Sequence, residues 1–159
     1  MILRTVGISD MIVSNDSEEK LVTYSLGSCL GLTVYDSIAC VGGMIHCMLP
    51  LSSTDPEKAK RNPEMFVDTG VPLLFNKFFA MGGDYSRMIV KAAGCSQLLD
   101  PRGFFKIGSR NFTVLRKILW KNSILLKAQD IGGSESRTLT LEISTGRTIV
   151  KSRGVERNL

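Results

Sequence analysis

Histidine occurs once in the 159 residues and tryptophan once. Any imidazole chemistry must therefore use His46. No stretch approaches the roughly 18 consecutive apolar residues that a membrane-spanning helix needs. The start, Met1-Ile2-Leu3-Arg4, lacks a basic region followed by a long apolar run, so no secretory signal is expected. Four cysteines (Cys29, Cys40, Cys47, Cys95) include no C-x-x-C pair, which argues against a zinc ribbon or finger. In the cytoplasmic location these features predict, the four are expected to be thiols rather than a disulfide framework. No repeat, low-complexity run or interdomain linker is visible, and the length suits one domain over 1–159, able to bury about two-thirds of its unfolded surface.

The charge of +5 is uneven. Residues 1–101 hold eight Lys/Arg against eleven Asp/Glu, whereas residues 102–159 hold twelve against four. A basic last third on a mildly acidic body fits either a solvated cationic surface or a contact with an acidic partner. No aromatic-studded sheet or recognition-helix motif accompanies it, so nucleic acid is not the expected partner.

The pattern is mostly β. Met11–Val13 is a short apolar run closed by the polar turn Ser14–Ser17, and strands are expected over Leu21–Ser25 and Leu30–Tyr35, with a turn at Asp36-Ser37. Cys40–Leu49 is apolar on both alternating sets, as in a strand covered on both faces. Leu51–Asn62 reads as a polar loop. Val71, Leu74, Phe75 and Phe78 form one helical stripe within 64–81, ended by Gly82-Gly83, with a kink expected at Pro72. After a buried strand at Met88–Ala93, a second helix capped by Ser109 or Asn111 runs to about Asn122, with Phe112, Leu115 and Leu119 inward. Strands near Ile124–Asp130, Leu139–Ile143 and Ile149-Val150 complete an α+β domain: layered mixed sheets, a β-sandwich-like core, flanked by two main helices.

Cys29 lies 17 residues before His46, with one turn between them. If their segments pair as neighbouring strands, thiol and imidazole can meet. A thiol with an ordinary pKa near ~8.5 holds little thiolate at neutral pH, and an imidazole that accepts its proton makes it a nucleophile. Glycines on both sides of Leu26-Gly27-Ser28-Cys29-Leu30-Gly31 permit a sharp turn, close substrate approach and backbone N–H groups aimed at an oxyanion. This marks Gly27 and Ser28 as oxyanion environment, and Gly42-Gly43 as an open opposite wall. A small core cysteine and a satisfied core histidine fit the same residues. Residue type does not choose between them. A metal site is not expected, because His46 and Cys47, adjacent on a strand, face opposite ways.

Thr23-Tyr24-Ser25-Leu26-Gly27-Ser28-Cys29-Leu30-Gly31, Val34-Tyr35-Asp36 and Gly43-Met44-Ile45-His46-Cys47-Met48-Leu49-Pro50 resemble the chemoreceptor glutamine deamidase family, CheD. Val67-Asp68 through Pro72-Leu73-Leu74, Ile107-Gly108-x-Arg110-Asn111 and Asp130-x-Gly132-Gly133 extend the resemblance over nearly the whole chain. It implies a Cys-His-Thr triad: Cys29 as nucleophile, His46 as base, Thr23 orienting the ring. The implied reaction is hydrolysis of glutamine side chains on methyl-accepting chemoreceptors through a thioester, with no cofactor and no membrane insertion, and with a CheC-like phosphatase as a related partner. The basic last third would suit acidic receptor helices. Two segments depart from the family pattern, Ala93-Gly94-Cys95-Ser96-Gln97 and Ser134-Glu135-Ser136-Arg137, both expected at the docking rim. A binding module with vestigial catalysis is the competing expectation.

Overall fold

In the computed structural model, which describes residues 1–97 and 105–159, two five-stranded mixed sheets are stacked and one carries helices on its outer face. In chain order the strands are β1 (Ile2–Thr5), β2 (Asp10–Ser14), β3 (Glu19–Leu26), β4 (Leu30–Asp36) and β5 (Val41–Cys47). Then come α1 (Pro56–Arg61), α2 (Val67–Ala80), β6 (Ile89–Gly94), α3 (Ile107–Lys121), β7 (Leu126–Ile131), β8 (Arg137–Glu142), β9 (Thr148–Ser152) and β10 (Val155–Asn158). The outer sheet has the order β1-β3-β8-β9-β10 and the inner sheet β2-β5-β4-β6-β7. Pairing is antiparallel except for β1 with β3 and β6 with β7.

The inner sheet is covered on both faces. Between the sheets lie Leu21, Leu26, Met44, Leu139, Leu141 and Val150, all buried. On its other face Leu30, Leu32, Ile45 and Cys47 cluster with Leu74 and Phe78 of α2 and Leu115 of α3. Every residue of β4 and β5 is therefore buried, as the double apolar set of Cys40–Leu49 predicts. β8 in the outer sheet alternates strictly between buried and half-buried, the mark of one covered face.

The β4–β5 hairpin turns at Asp36, whose fully buried carboxylate accepts from the N–H groups of Ile38, Ala39 and Asp84 and from the Arg87 guanidinium. Those partners hold it down to about 2 against the pull of burial. α2 ends as its glycines predict. The N–H of Gly83 donates to Phe78 and that of Gly82 to Phe79, with Gly82 at φ +106. The helix continues through Pro72 as one element.

Several local expectations need correction. Leu51–Asn62 holds α1, which Asp55 caps by accepting from the N–H of Lys58, with Pro56 in the first turn. None of its six residues is buried, so no apolar period announced it. Neither Ser109 nor Asn111 caps α3. Lys106, at φ +50, occupies the cap position, and Asn111 is buried one turn inside. Arg137 is no rim residue either. It is buried against Asp130 and donates to the carbonyls of Gly94 and Gly132. Of 93–97 only Gln97 is exposed. In the basic last third, Arg153 and Arg157 pair with Glu135 and Asp130, Arg116, Lys117, Lys121 and Lys127 are exposed, and Arg102 lies outside the described residues.

Candidate active site

Cys29 sits where the chain passes from one sheet to the other. β3 belongs to the outer sheet and β4 to the inner one, and only three residues join them. The crossing is prepared by an irregularity in β3 between Thr23 and Leu26, where Ser25 takes φ +58 and the N–H of Gly27 bonds the carbonyl of Ser25 at 3.0 Å. The turn is then clamped. The N–H of Cys95 donates to the Cys29 carbonyl at 2.8 Å and that of Ser96 to the Gly27 carbonyl at 2.9 Å. Asn111 reaches in from α3, its side-chain amide donating to the carbonyls of Ser28 at 2.9 Å and Met48 at 3.3 Å. One buried side chain thus ties the turn before Cys29 to the chain just after His46.

The hairpin register places His46. Gly31 lies opposite His46, and Cys29, two residues earlier at the end of the crossing turn, packs against the cluster between the sheets. Across that gap Thr23 of β3 meets the ring: its Oγ1 lies 2.7 Å from His46 Nδ1 and 2.7 Å from the carbonyl oxygen of Val6. A carbonyl can only accept, so the single hydroxyl proton goes to Val6 and Oγ1 accepts from the ring. The network assigns the proton to Nδ1 and leaves a lone pair on Nε2. Thr23 therefore orients the ring in the sense its hydroxyl allows, and the Val6 carbonyl is an orienting group that no reading of residue types reveals.

His46 is wholly buried, and its Nε2 has no hydrogen-bond partner among the described residues, Cys29 included. A buried acceptor left unmet costs roughly 1–3 kcal/mol, and such atoms concentrate where function requires them. Burial lowers the His46 pKa to about 4. Burial also raises the Cys29 thiol, only partly offset by a bond from its own backbone N–H. Both shifts favour the neutral forms, thiol at Cys29 and imidazole at His46.

The depressed imidazole has a stability consequence. The unfolded chain binds a proton near pH 6.5 and the folded protein only near 4, so between these values the unfolded state holds more protons and acidification destabilises the fold. The contribution is fully present above about pH 6.5 and its loss by pH 4 is on the order of 3 kcal/mol. Urea unfolding at pH 7 and pH 4.5 is expected to show a smaller acid-induced loss for His46→Gln than for the native chain. Parallel losses would show that His46 titrates normally in the fold.

The remaining candidates separate. Ser28 lines a cavity of about 340 Å³ with Cys29, Met48, Leu49, Ser96 and Ile107. Gly27, placed by its sequence in the oxyanion environment, shapes the turn, and its own N–H is spent on the Ser25 carbonyl. Gly43 faces away from His46. A Cβ there would touch Leu74, Val13 and Val34 at 3.0–3.4 Å, so it is a packing glycine under α2. Gly42 packs against Ile143, Leu141 and Tyr35. Among the described residues no three metal-ligating side chains converge.

A half-buried thiol, an oriented neutral imidazole and an apolar cavity, all at a sheet crossing, describe a candidate cysteine–histidine site on a two-sheet α+β scaffold. The family model for CheD, described as CheD chemotactic sensory transduction, matches residues 48–152. A probable chemoreceptor glutamine deamidase CheD 1 of Syntrophus aciditrophicus is 49% identical over 149 residues, covering 94% of this chain and 93% of that one. The similarly named Solibacter usitatus protein is 46% identical over 154 residues, covering 97% and 91%. An Anaeromyxobacter dehalogenans relative of that name is 43% identical over 152 residues, covering 96% of each chain. The chain belongs to the CheD family. Its fold is also similar to a Neisseria meningitidis crystal structure of the DUF152 family, at TM-score 0.50 and 12% identity, over 84% of this chain and 64% of that one.

Proposed function

We propose that this protein is a chemoreceptor glutamine deamidase acting through Cys29, His46 and Thr23. The observation that carries the reading is the Val6–Thr23–His46 chain of hydrogen bonds, which leaves a bare Nε2 lone pair between the sheets, where Cys29 also packs. The names of the relatives supply the substrate class. Cys29 Sγ attacks the carboxamide carbon of a receptor glutamine as its proton passes to Nε2. The tetrahedral adduct collapses when His46 returns that proton to the departing nitrogen, and the C–N bond breaks to release ammonia. Water, deprotonated by the same Nε2, then cleaves the thioester, leaving glutamate and the free thiol. The chain's own residues complete the cycle.

The cytoplasmic face of a receptor is the place for this reaction, and no helix among the described residues is long and apolar enough to cross a membrane. A CheC-like phosphatase is a proposed partner from the resemblance alone. Intact-mass analysis tests the activity. A chemoreceptor cytoplasmic fragment incubated with the protein is expected to gain about one mass unit per converted glutamine, and none with Cys29→Ala. Binding without mass gain would favour the adaptor reading.

A further inference from the structure

The proposed chemistry places negative charge on the substrate's carbonyl oxygen, which needs hydrogen-bond donors beside Cys29. In the turn that carries Cys29, the N–H of Gly27 is already bonded to the Ser25 carbonyl. The cavity wall supplies another donor. Ser96 lines the cavity together with Cys29 and is wholly buried, yet its hydroxyl has no hydrogen-bond partner among the described residues. A buried hydroxyl left unmet carries a desolvation cost that a bound partner would relieve.

Its backbone is held from two directions. The Ser96 N–H donates to the Gly27 carbonyl at 2.9 Å. From the other side α3 presses so closely that a Cβ on Gly108 would lie 2.4 Å from the Ser96 carbonyl oxygen and 2.6 Å from Cys95 backbone atoms. Ile107 and Gly108, in the first turn of α3, also line the cavity, bringing the positive end of a 15-residue helix to the same wall. A donor fixed in advance, in a site shielded from water, stabilises charge as it develops without having to reorganise.

We propose that the Ser96 hydroxyl is an oxyanion donor of this site. As Cys29 Sγ bonds to the acyl carbon, the carbonyl π electrons move onto oxygen, and Ser96 Oγ–H donates to that oxygen while keeping its proton. Collapse of the adduct returns the electrons and expels the leaving group. This deepens the deamidase reading and rests on Cys29 as the nucleophile, but it applies to any acyl transfer to that thiol.

The test therefore avoids the receptor. Acetylation of Cys29 by p-nitrophenyl acetate passes through a tetrahedral oxyanion; alkylation of Cys29 by iodoacetamide is a displacement at carbon and forms none. Both rates are followed in the native protein, Ser96→Ala and Ser96→Thr, with the modified cysteine assigned by peptide mass. Acetylation is expected to fall about 100-fold in Ser96→Ala and to recover most of that in Ser96→Thr, with alkylation of Cys29 unchanged in both. Equal losses of both rates in Ser96→Ala would make Ser96 a structural support, and undiminished acetylation would remove it from the site. Either result overturns the proposal. Absence of receptor deamidation by a native protein that shows the expected acetylation pattern would instead count against the substrate assignment and leave the donor in place.

Discussion

Removing both Cys29 and His46 is expected to cost no more activity than removing Cys29 alone. Without its sulfur the proposed site has no nucleophile, and loss of a nucleophile costs on the order of 10⁶ in kcat. His46→Ala removes a base that accepts the thiol proton, worth roughly 10²–10⁴. If the residues acted independently, these factors would multiply. They serve one step, so the Cys29→Ala/His46→Ala double variant should match Cys29→Ala within about threefold. A further loss of about 100-fold in the double variant would show that His46 works elsewhere. The pH dependence sharpens the result. Burial holds the Cys29 thiol above its ordinary value, so under the proposed mechanism His46 takes the proton. Without His46, thiolate arises only by direct ionisation, and the activity of His46→Ala should climb steadily as pH is raised past about 8.5.

The hairpin is readable because its signals are local. The turn at Asp36-Ser37 fixes the offset between β4 and β5, and the apolar content of both β5 faces places that strand inside the layers. Those two facts pair the segment after Cys29 with the strand that carries His46, and the observed pairing of Gly31 with His46 follows. The two edge strands of the outer sheet leave no such pattern. β1 and β10 have every residue exposed, so burial imposes no alternation on them. The finer site fails to show for another reason: its decisive groups are not side chains with a chemical signature. The Val6 carbonyl is invisible in a residue type. Gly43 reads like an open wall next to His46, yet one strand position flips it to the helix side. Asn111 resembles a helix cap from sequence and serves as a strut between Ser28 and Met48, because α3 begins four residues earlier on a left-handed Lys106. Ser96 is a small polar residue after a strand, and only three-dimensional packing shows its hydroxyl to be buried and unmet.

Gly94→Ala is expected to damage both stability and catalysis, and the reason lies in two separable costs. Gly94 has φ +102, outside the region a side chain tolerates well, which costs about 1–3 kcal/mol for a residue with a Cβ. The added Cβ would also stand 2.4 Å from the carbonyl oxygen of Cys29. That atom is backbone and has no rotamer through which to escape. It already accepts the Cys95 N–H at 2.8 Å, while the Gly94 carbonyl accepts from the Gly132 N–H at 2.9 Å and from Arg137. Relieving the clash therefore moves either the nucleophile's own peptide or the Gly94–Arg137 anchor. Gly82→Ala provides the control, because Gly82 has nearly the same φ of +106, and a methyl group there would meet nothing within 4 Å. Denaturant unfolding should give Gly82→Ala a loss of about 1–2 kcal/mol with full activity. Gly94→Ala should lose more, about 3–5 kcal/mol, from strain and overpacking together. Where Gly94→Ala remains folded, a displacement of Cys29 of even about 1 Å should lower kcat/KM on the order of 10²-fold. If the two alanine variants prove equal in stability and activity, the Cys29 carbonyl yields freely, and the turn that carries the nucleophile is not held by its packing against Gly94.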